Sequence, residues 1–156
     1  LFFYALARRS GQSEVEAILG QARSKGQMES WDSGVQFLEE EMARMGKSSA
    51  PLMVALSEMI LAKGDLAVAQ KWVDQVVKDF PQNADVWGIQ MKIHLMMEDK
   101  EPKKFLEKAI RAVSRQIELA PGNVGPRLER FKLFVRKTDL ARAMQELNDI
   151  YAMYKK

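Results

Sequence analysis

Residues 50–83 contain two amphipathic helical patterns that are separated by a glycine and ended by a proline. Apolar residues recur at the helical period in both halves, which predicts two helices that each bury one face. Gly64 is expected to end the first helix because glycine adopts left-handed backbone at no steric cost. Asp65 is placed to cap the second helix, and Pro81, which lacks an N–H, should end it. The stretch therefore predicts a helical hairpin whose apolar faces are formed by Met53, Leu56, Ile60, Leu61, Leu66, Ala69, Val73, Val76 and Val77.

This hairpin resembles a tetratricopeptide repeat (TPR), a family unit of about the same length. The Gly64-Asp65 turn, the small residue Ala69 and the terminal Pro81 match the family pattern. So do its large apolar positions, which here are Met53, Leu56, Ile60 and Val73. The resemblance implies an all-α fold, an α-α superhelix in which antiparallel hairpins stack and leave a concave side.

Weaker copies of the unit follow over 84–121 and 124–156, and a degenerate copy precedes it over 12–46. Pro121 is expected to end the second helix of its copy as Pro81 does in residues 50–83, and Thr138-Asp139 corresponds to the turn Gly64-Asp65. In the degenerate copy we expect helices over 12–24 and 28–45, with Gly26 breaking the pattern between them.

Residues 1–9 are expected to be the end of a preceding helix, because seven apolar residues before two arginines are too few for a membrane span. The alternative is the tail of such an anchor. With that segment, about nine helices are predicted in a single TPR-like domain. The start at Leu1 suggests a fragment of a longer protein.

The sequence offers little to support catalysis. It has no cysteine and one histidine, His94, which lies where the family places a core aromatic. A metal site or an acid-base pair would need partners that are missing, and the acidic run 39–41 points in three directions on a helix. We therefore expect no enzyme activity, cofactor or metal. The cytoplasm and a bacterial periplasm are both compatible with this composition.

In TPR proteins the concave side is lined mainly by the first helix of each hairpin. Residues at the corresponding positions predict a groove for a peptide or helix of another protein, formed by Val54, Glu58, Leu61, Lys92, Leu95, Met96, Leu128, Lys132, Val135 and Arg136. Leu61, Leu95 and Val135 would form its apolar strip, flanked by cations that suit an acidic ligand. A clamp for a C-terminal carboxylate is not expected, because Val54, Glu58 and Gly88 cannot donate to one.

A second hypothesis comes from charge. Residues 100–137 hold 11 basic and 4 acidic side chains, although the whole chain has a net charge of only +3. Such an excess attracts anionic partners, so the alternative function is binding of a polysaccharide or nucleic acid at Lys103, Lys104, Arg111 and Arg115. The same charges are also typical of solvated helix faces. Nucleic acid is disfavoured, since Phe131 and Phe134 are expected to be buried rather than available for stacking.

Most of the ten methionines fall at core spacing, among them Met53, Met91 and Met144, whereas Met96 and Met97 are candidates for a bound surface. Tyr151 and Tyr154 are expected at an exposed end face. That face could pair two chains end to end where no further repeat covers it. The favoured function is a protein-interaction scaffold, similar at the level of fold to bacterial TPR proteins of envelope assembly, secretion or polysaccharide export.

Overall fold

The computed structural model describes residues 14–46, 49–99 and 101–155. These residues form eight α-helices and no strand, so the predicted all-α fold is confirmed. The segment 1–9, predicted as a further helix, lies outside the described residues. The helices are α1 Glu14–Met28, α2 Trp31–Met45, α3 Ala50–Lys63, α4 Leu66–Asp79, α5 Ala84–Met96, α6 Pro102–Leu119, α7 Val124–Arg136 and α8 Leu140–Tyr154.

Short capping motifs set the helix ends. Gly64 follows α3 with φ of +91°, and its N–H donates to the Leu61 carbonyl at 2.9 Å. Asp65 accepts a hydrogen bond from the Val68 N–H, as expected of a cap at the start of α4. Asn83 and Asn123 begin α5 and α7 in the same way, with their side-chain oxygens accepting from Asp85 and Gly125 N–H.

The contacts divide the chain into two compact units, the first ending at Val76 and the second beginning at Val77. That the repeats form a single domain stays a prediction. In the first unit α2 packs against both α1 and α3. The largest fully buried side chains of these three helices are Ile18, Leu38, Leu52 and Leu56.

Gly26 does not break the first helix, contrary to the prediction. It lies within α1, buried, and a Cβ atom there would come 2.9 Å from the Trp31 ring. The missing side chain makes room for the indole ring instead of ending the helix. The next helix begins only at Trp31, where Ser30 caps it by accepting from the Ser33 N–H at 3.1 Å.

In the second unit the helices pack in chain order, α5 on α6, α6 on α7 and α7 on α8. Its core comes chiefly from the inward face of α6, including Leu106, Ala109, Ile110 and Val113, closed by Leu133 and Phe134 of α7. Phe134 is buried, as expected, whereas Phe131 is only half-buried. Met144, predicted at core spacing, is instead 57% exposed. On α8 it lies to one side of the face that carries Ala143 and Ile150 inward.

Thr138 ends α7 in left-handed backbone with φ of +59°, and its N–H donates to the Val135 carbonyl at 2.9 Å. Gly64 has the same role after α3. This conformation costs roughly 1–2 kcal/mol for a β-branched residue and carries no such cost for glycine.

Thr138→Gly is therefore expected to raise the free energy of unfolding by about 0.5–1 kcal/mol, after the greater freedom of glycine in the unfolded chain is counted. Urea denaturation measures the change. The reciprocal variant Gly64→Thr should lower it by about 1–2 kcal/mol. A Thr138→Gly chain less stable than the wild type would contradict the strain argument.

Candidate partner-binding surfaces

In the second unit, α5 and α7 expose large apolar side chains that the unit itself does not cover. Met96 is 50% exposed, Leu128 42% and Val135 43%. Leu128, Lys132 and Val135 share one face of α7 because they are spaced four and three residues apart. Leu95, by contrast, is half-buried against the core of the unit, so Met96 carries most of the apolar surface at the end of α5.

The same two helices, α5 and α7, also carry exposed cationic side chains. Lys92, Lys132 and Arg136 are exposed. Lys132 pairs with Glu129 at 2.8 Å on its own helix, and Arg136 pairs with Glu98, which follows α5. The Arg136–Glu98 pair joins the end of α7 to the end of α5. The predicted groove residues of the second unit are thus placed on two helices whose carboxyl ends are linked.

A cavity of about 410 Å³ opens beside this link. Pro102 and Leu106 supply its apolar wall, and its rim is polar, formed by Glu98, Lys103, Glu107, Arg136 and Lys137. The hydrogen bond from Lys137 to Glu107 holds the pKa of that carboxyl below its usual value. The cavity brings together Arg136 of the predicted groove and Lys103 of the predicted basic surface.

The predicted groove residues of the first unit differ in exposure. Val54 and Glu58 are half-buried, whereas Leu61 is only 8% exposed and offers almost no surface to a ligand. Glu58 lines a cavity of about 180 Å³ together with Arg23, Gln27 and Trp31. Sequence reasoning did not propose Arg23 or Gln27 as site residues. The signal available was their spacing of four, which places both on one face of α1.

The four residues of the predicted basic surface lie on α6, but Lys103 lines the cavity beside Arg136 and is not in line with the other three, whereas Lys108 is. Lys104, Lys108, Arg111 and Arg115 follow one another at spacings of four, three and four, which aligns them along one side of the helix. Ion pairs offset part of their charge, because Lys104 pairs with Glu101 at 2.7 Å and Arg115 with Glu118 at 2.8 Å. The ammonium groups of Lys104 and Lys108 also lie over the Phe105 ring.

Other basic side chains of residues 100–137 also form ion pairs with acidic residues, some of which lie outside that range. Arg127 and Arg130 both contact Glu146, and Lys137 contacts Glu107. The excess of positive charge read from the sequence is therefore smaller at the surface than the count suggests.

His94 is buried on α5, with its ring centroid 6.1 Å from that of Phe105. Within the described residues, no group of three or more His, Cys, Asp or Glu side chains is placed to hold a metal ion. None of the described helices combines the length and apolar character that crossing a membrane requires.

Comparisons with known proteins identify the fold. No protein-family model and no curated protein sequence matches the chain. Among solved structures, MamA from Desulfovibrio magneticus RS-1 is 15% identical, with 98% of this chain and 92% of that one covered and a TM-score of 0.69. TTC0263, a thermophilic TPR protein of Thermus thermophilus, is 13% identical over 91% of this chain and 75% of that one, with a TM-score of 0.71.

A third similar structure is that of Naa15/Naa10 bound to HypK-THB. It is 13% identical over 88% of this chain and 20% of the matched chain, with a TM-score of 0.72. Identities this low carry the fold alone. The chain has a divergent TPR fold, as the resemblance of residues 50–83 implied.

Proposed function

We propose that this divergent TPR-fold chain is a non-catalytic scaffold that binds an amphipathic peptide or helix of another protein. The observation that carries the proposal is the exposure of Met96, Leu128 and Val135 on the first helices of two successive hairpins. By analogy of fold with bacterial TPR proteins, the scaffold would serve envelope assembly, secretion or polysaccharide export.

The proposed ligand follows from the chemistry of this face. Covering a large apolar side chain contributes on the order of 1.5–3 kcal/mol when the burial is complete, so three half-exposed ones can hold a short helix weakly. Lys92, Lys132 and Arg136 would orient acidic side chains of the ligand and speed its association. An amphipathic helix with one apolar stripe and glutamates beside it fits both features.

Val135→Glu tests this directly. The probe is a fluorescein-labelled designed helix with leucine at i, i+3, i+4 and i+7 and glutamate at its flanking positions. Its affinity, measured by fluorescence anisotropy, should fall roughly tenfold or more, because the substitution removes apolar contact and places a carboxylate against an acidic ligand.

Arg111→Glu is the matched control, since it adds the same acidic side chain to an exposed site on α6 and changes the net charge by even more. It should alter affinity for the probe about twofold at most. Equal losses in both variants would show that net charge and not this face governs binding, which would contradict the proposal.

A second candidate is binding of an anionic polymer by the basic surface, favoured by the alignment of Lys104, Lys108, Arg111 and Arg115. Here a heparin fragment and a single-stranded oligonucleotide are the probes. Affinity should fall steeply as salt rises and should be lost in Arg111→Glu, while Val135→Glu leaves it unchanged. If neither probe binds at about 50 mM salt, or if the affinity does not fall as salt is raised from there, this candidate is rejected.

A further inference from the structure

The last helix, α8, carries a second apolar face that its own unit leaves uncovered. Ala143 and Ile150 are buried in the unit. The exposed face holds five large side chains, and its two tyrosines are 61% and 74% exposed. We call this face the α8 stripe: Leu140, Met144, Leu147, Tyr151 and Tyr154.

The spacing of the stripe is that of a two-helix seam. Its members are separated by four, three, four and three residues, the alternation by which apolar positions of paired helices stay in register. The pattern is also nearly symmetric about Leu147. A second copy of α8 laid antiparallel would place each aliphatic end residue against a tyrosine, Leu140 on Tyr154 and Met144 on Tyr151, and Leu147 on itself.

We propose that the α8 stripe is a homodimer interface, in which α8 of two copies pairs antiparallel about a two-fold axis at Leu147. Such an isologous contact uses the same patch on both chains, and the symmetry of the spacing supplies that self-complementarity. The contact of the Met144 thioether with a tyrosine ring would add to the packing of leucine against tyrosine.

The α8 stripe has no charged side chain of its own, which suits pairing with a second copy of the same stripe. The α8 stripe contains no Asp, Glu, Lys, Arg or His side chain. The exposed residues along its open side are uncharged up to Lys155: Ala141, Gln145, Asn148 and Ala152. The stripe residues therefore bring no like charges together when two copies pair. Lys155 places a cation beside the stripe, because its ammonium lies 4.7 Å from the centroid of the Tyr151 ring.

The area suits a weak dimer. At roughly 200 Å² for a whole tyrosine and roughly 100 Å² for a whole aliphatic side chain, the exposed parts of the stripe amount to about 900 Å² over two copies. Interfaces below about 1,200 Å² are typical of transient complexes. We therefore expect a dimer that dissociates on dilution. This inference uses a different face from the proposed peptide site and does not depend on it.

Cysteine cross-linking tests the register, and the chain contains no cysteine of its own. Leu147→Cys should form a disulfide-linked dimer on mild oxidation, because the axis brings the two copies of that position together. Leu140→Cys alone should not, since antiparallel copies of it lie roughly 20 Å apart and a disulfide needs Cα atoms within about 7 Å. Mixing Leu140→Cys with Tyr154→Cys chains should restore the link.

Ala152→Cys, on the same helix but away from the stripe, is the background control. Cross-linking of Leu147→Cys no faster than that of Ala152→Cys would overturn the proposal. So would a link in Leu140→Cys alone without one in the Leu140→Cys and Tyr154→Cys mixture, which would indicate parallel pairing.

Sedimentation equilibrium tests the interface without cross-linking. The mass should rise with concentration from 17.8 kDa towards twice that value. Leu147→Glu should remain monomeric over the same range because two carboxylates would meet at the axis, and Ala152→Glu should behave as the wild type. A chain that is monomeric throughout, or equal behaviour of the two variants, overturns the proposal. Protection of Leu147→Cys from a thiol reagent at monomeric dilution also overturns it, because the same chain would then cover the stripe.

Discussion

Replacing Glu146 by alanine is expected to lower the free energy of unfolding by about 3–5 kcal/mol. Glu146 lies on α8 and is only 3% exposed. Its carboxylate accepts from Arg130 Nε at 2.6 Å and from Arg127 Nη1 at 3.2 Å, and Arg130 also donates to Ser114 on α6. Removing the carboxylate leaves two partly buried guanidinium groups close together without a counter-charge. Urea denaturation followed by circular dichroism measures the loss.

Glu129→Ala is the matched control for this experiment. Glu129 also forms an ion pair, with Lys132 at 2.8 Å, but both side chains are solvent-exposed. Exposed pairs contribute about 0.2–1 kcal/mol, so this variant should lose no more than that. Equal destabilisation by the two alanine variants would mean that the Glu146 network contributes no more than a surface pair.

Replacing the whole network separates the loss of a counter-charge from the loss of packing. A chain in which Arg127 and Arg130 become methionine and Glu146 becomes leucine should be more stable than Glu146→Ala, because no buried charge is then left unpaired. If the triple variant were the less stable of the two, packing by the arginine side chains would dominate.

The features that could be predicted from the sequence are those with local causes. Gly64 ends α3 and Asp65 caps α4 through backbone and side-chain groups within four residues, so short patterns are sufficient to place them. Pro102 begins α6 as expected of a proline in the first helical turn. Because hairpins of this kind are built from such local signals, residues 50–83 alone indicated the fold class of the whole chain.

Features that depend on a neighbouring helix could not be predicted in the same way. Glu146 shares the inward face of α8 with Ala143 and Ile150, and a charged residue on such a face is a signal that a buried partner exists. The identity of that partner depends on how α7 lies beside α8. Met144 was assigned to the core by its spacing, although a helix with two apolar faces does not reveal from sequence which face is covered.

The candidate site shows the same limit. Family positions assign the candidate residues to the first helix of each hairpin, but the exposure of each side chain depends on packing. Leu61 and Val135 occupy the same position of the family pattern in their repeats, yet Leu61 is buried and Val135 is 43% exposed. The sequence alone assigns Met96, Leu128 and Val135 to the groove together with Leu61, and the structure distinguishes these three exposed side chains from the buried Leu61. Their role in binding stays a proposal.

Gly34→Ala is expected to lower the free energy of unfolding by about 1–3 kcal/mol, although alanine is the better helix former. Gly34 lies in α2 where that helix approaches α1. A Cβ atom there would come 2.9 Å from the Ala22 carbonyl oxygen and 3.1 Å from the Gly26 backbone nitrogen. Backbone of a packed helix cannot move aside cheaply, so the two helices must separate.

Gly88→Ala is the control, because it shows whether a loss of stability in Gly34→Ala comes from the close approach of two helices or from replacing any buried helical glycine. Gly88 is also buried within a helix, and its added Cβ would come 2.7 Å from the side-chain nitrogen of Gln116. That flexible side chain can turn away, so the gain in helix propensity of up to about 1 kcal/mol should offset most or all of the cost. Thermal and urea denaturation of both variants should therefore separate them by roughly 1–4 kcal/mol. A Gly34→Ala chain as stable as Gly88→Ala would show that α1 and α2 do not need this close approach.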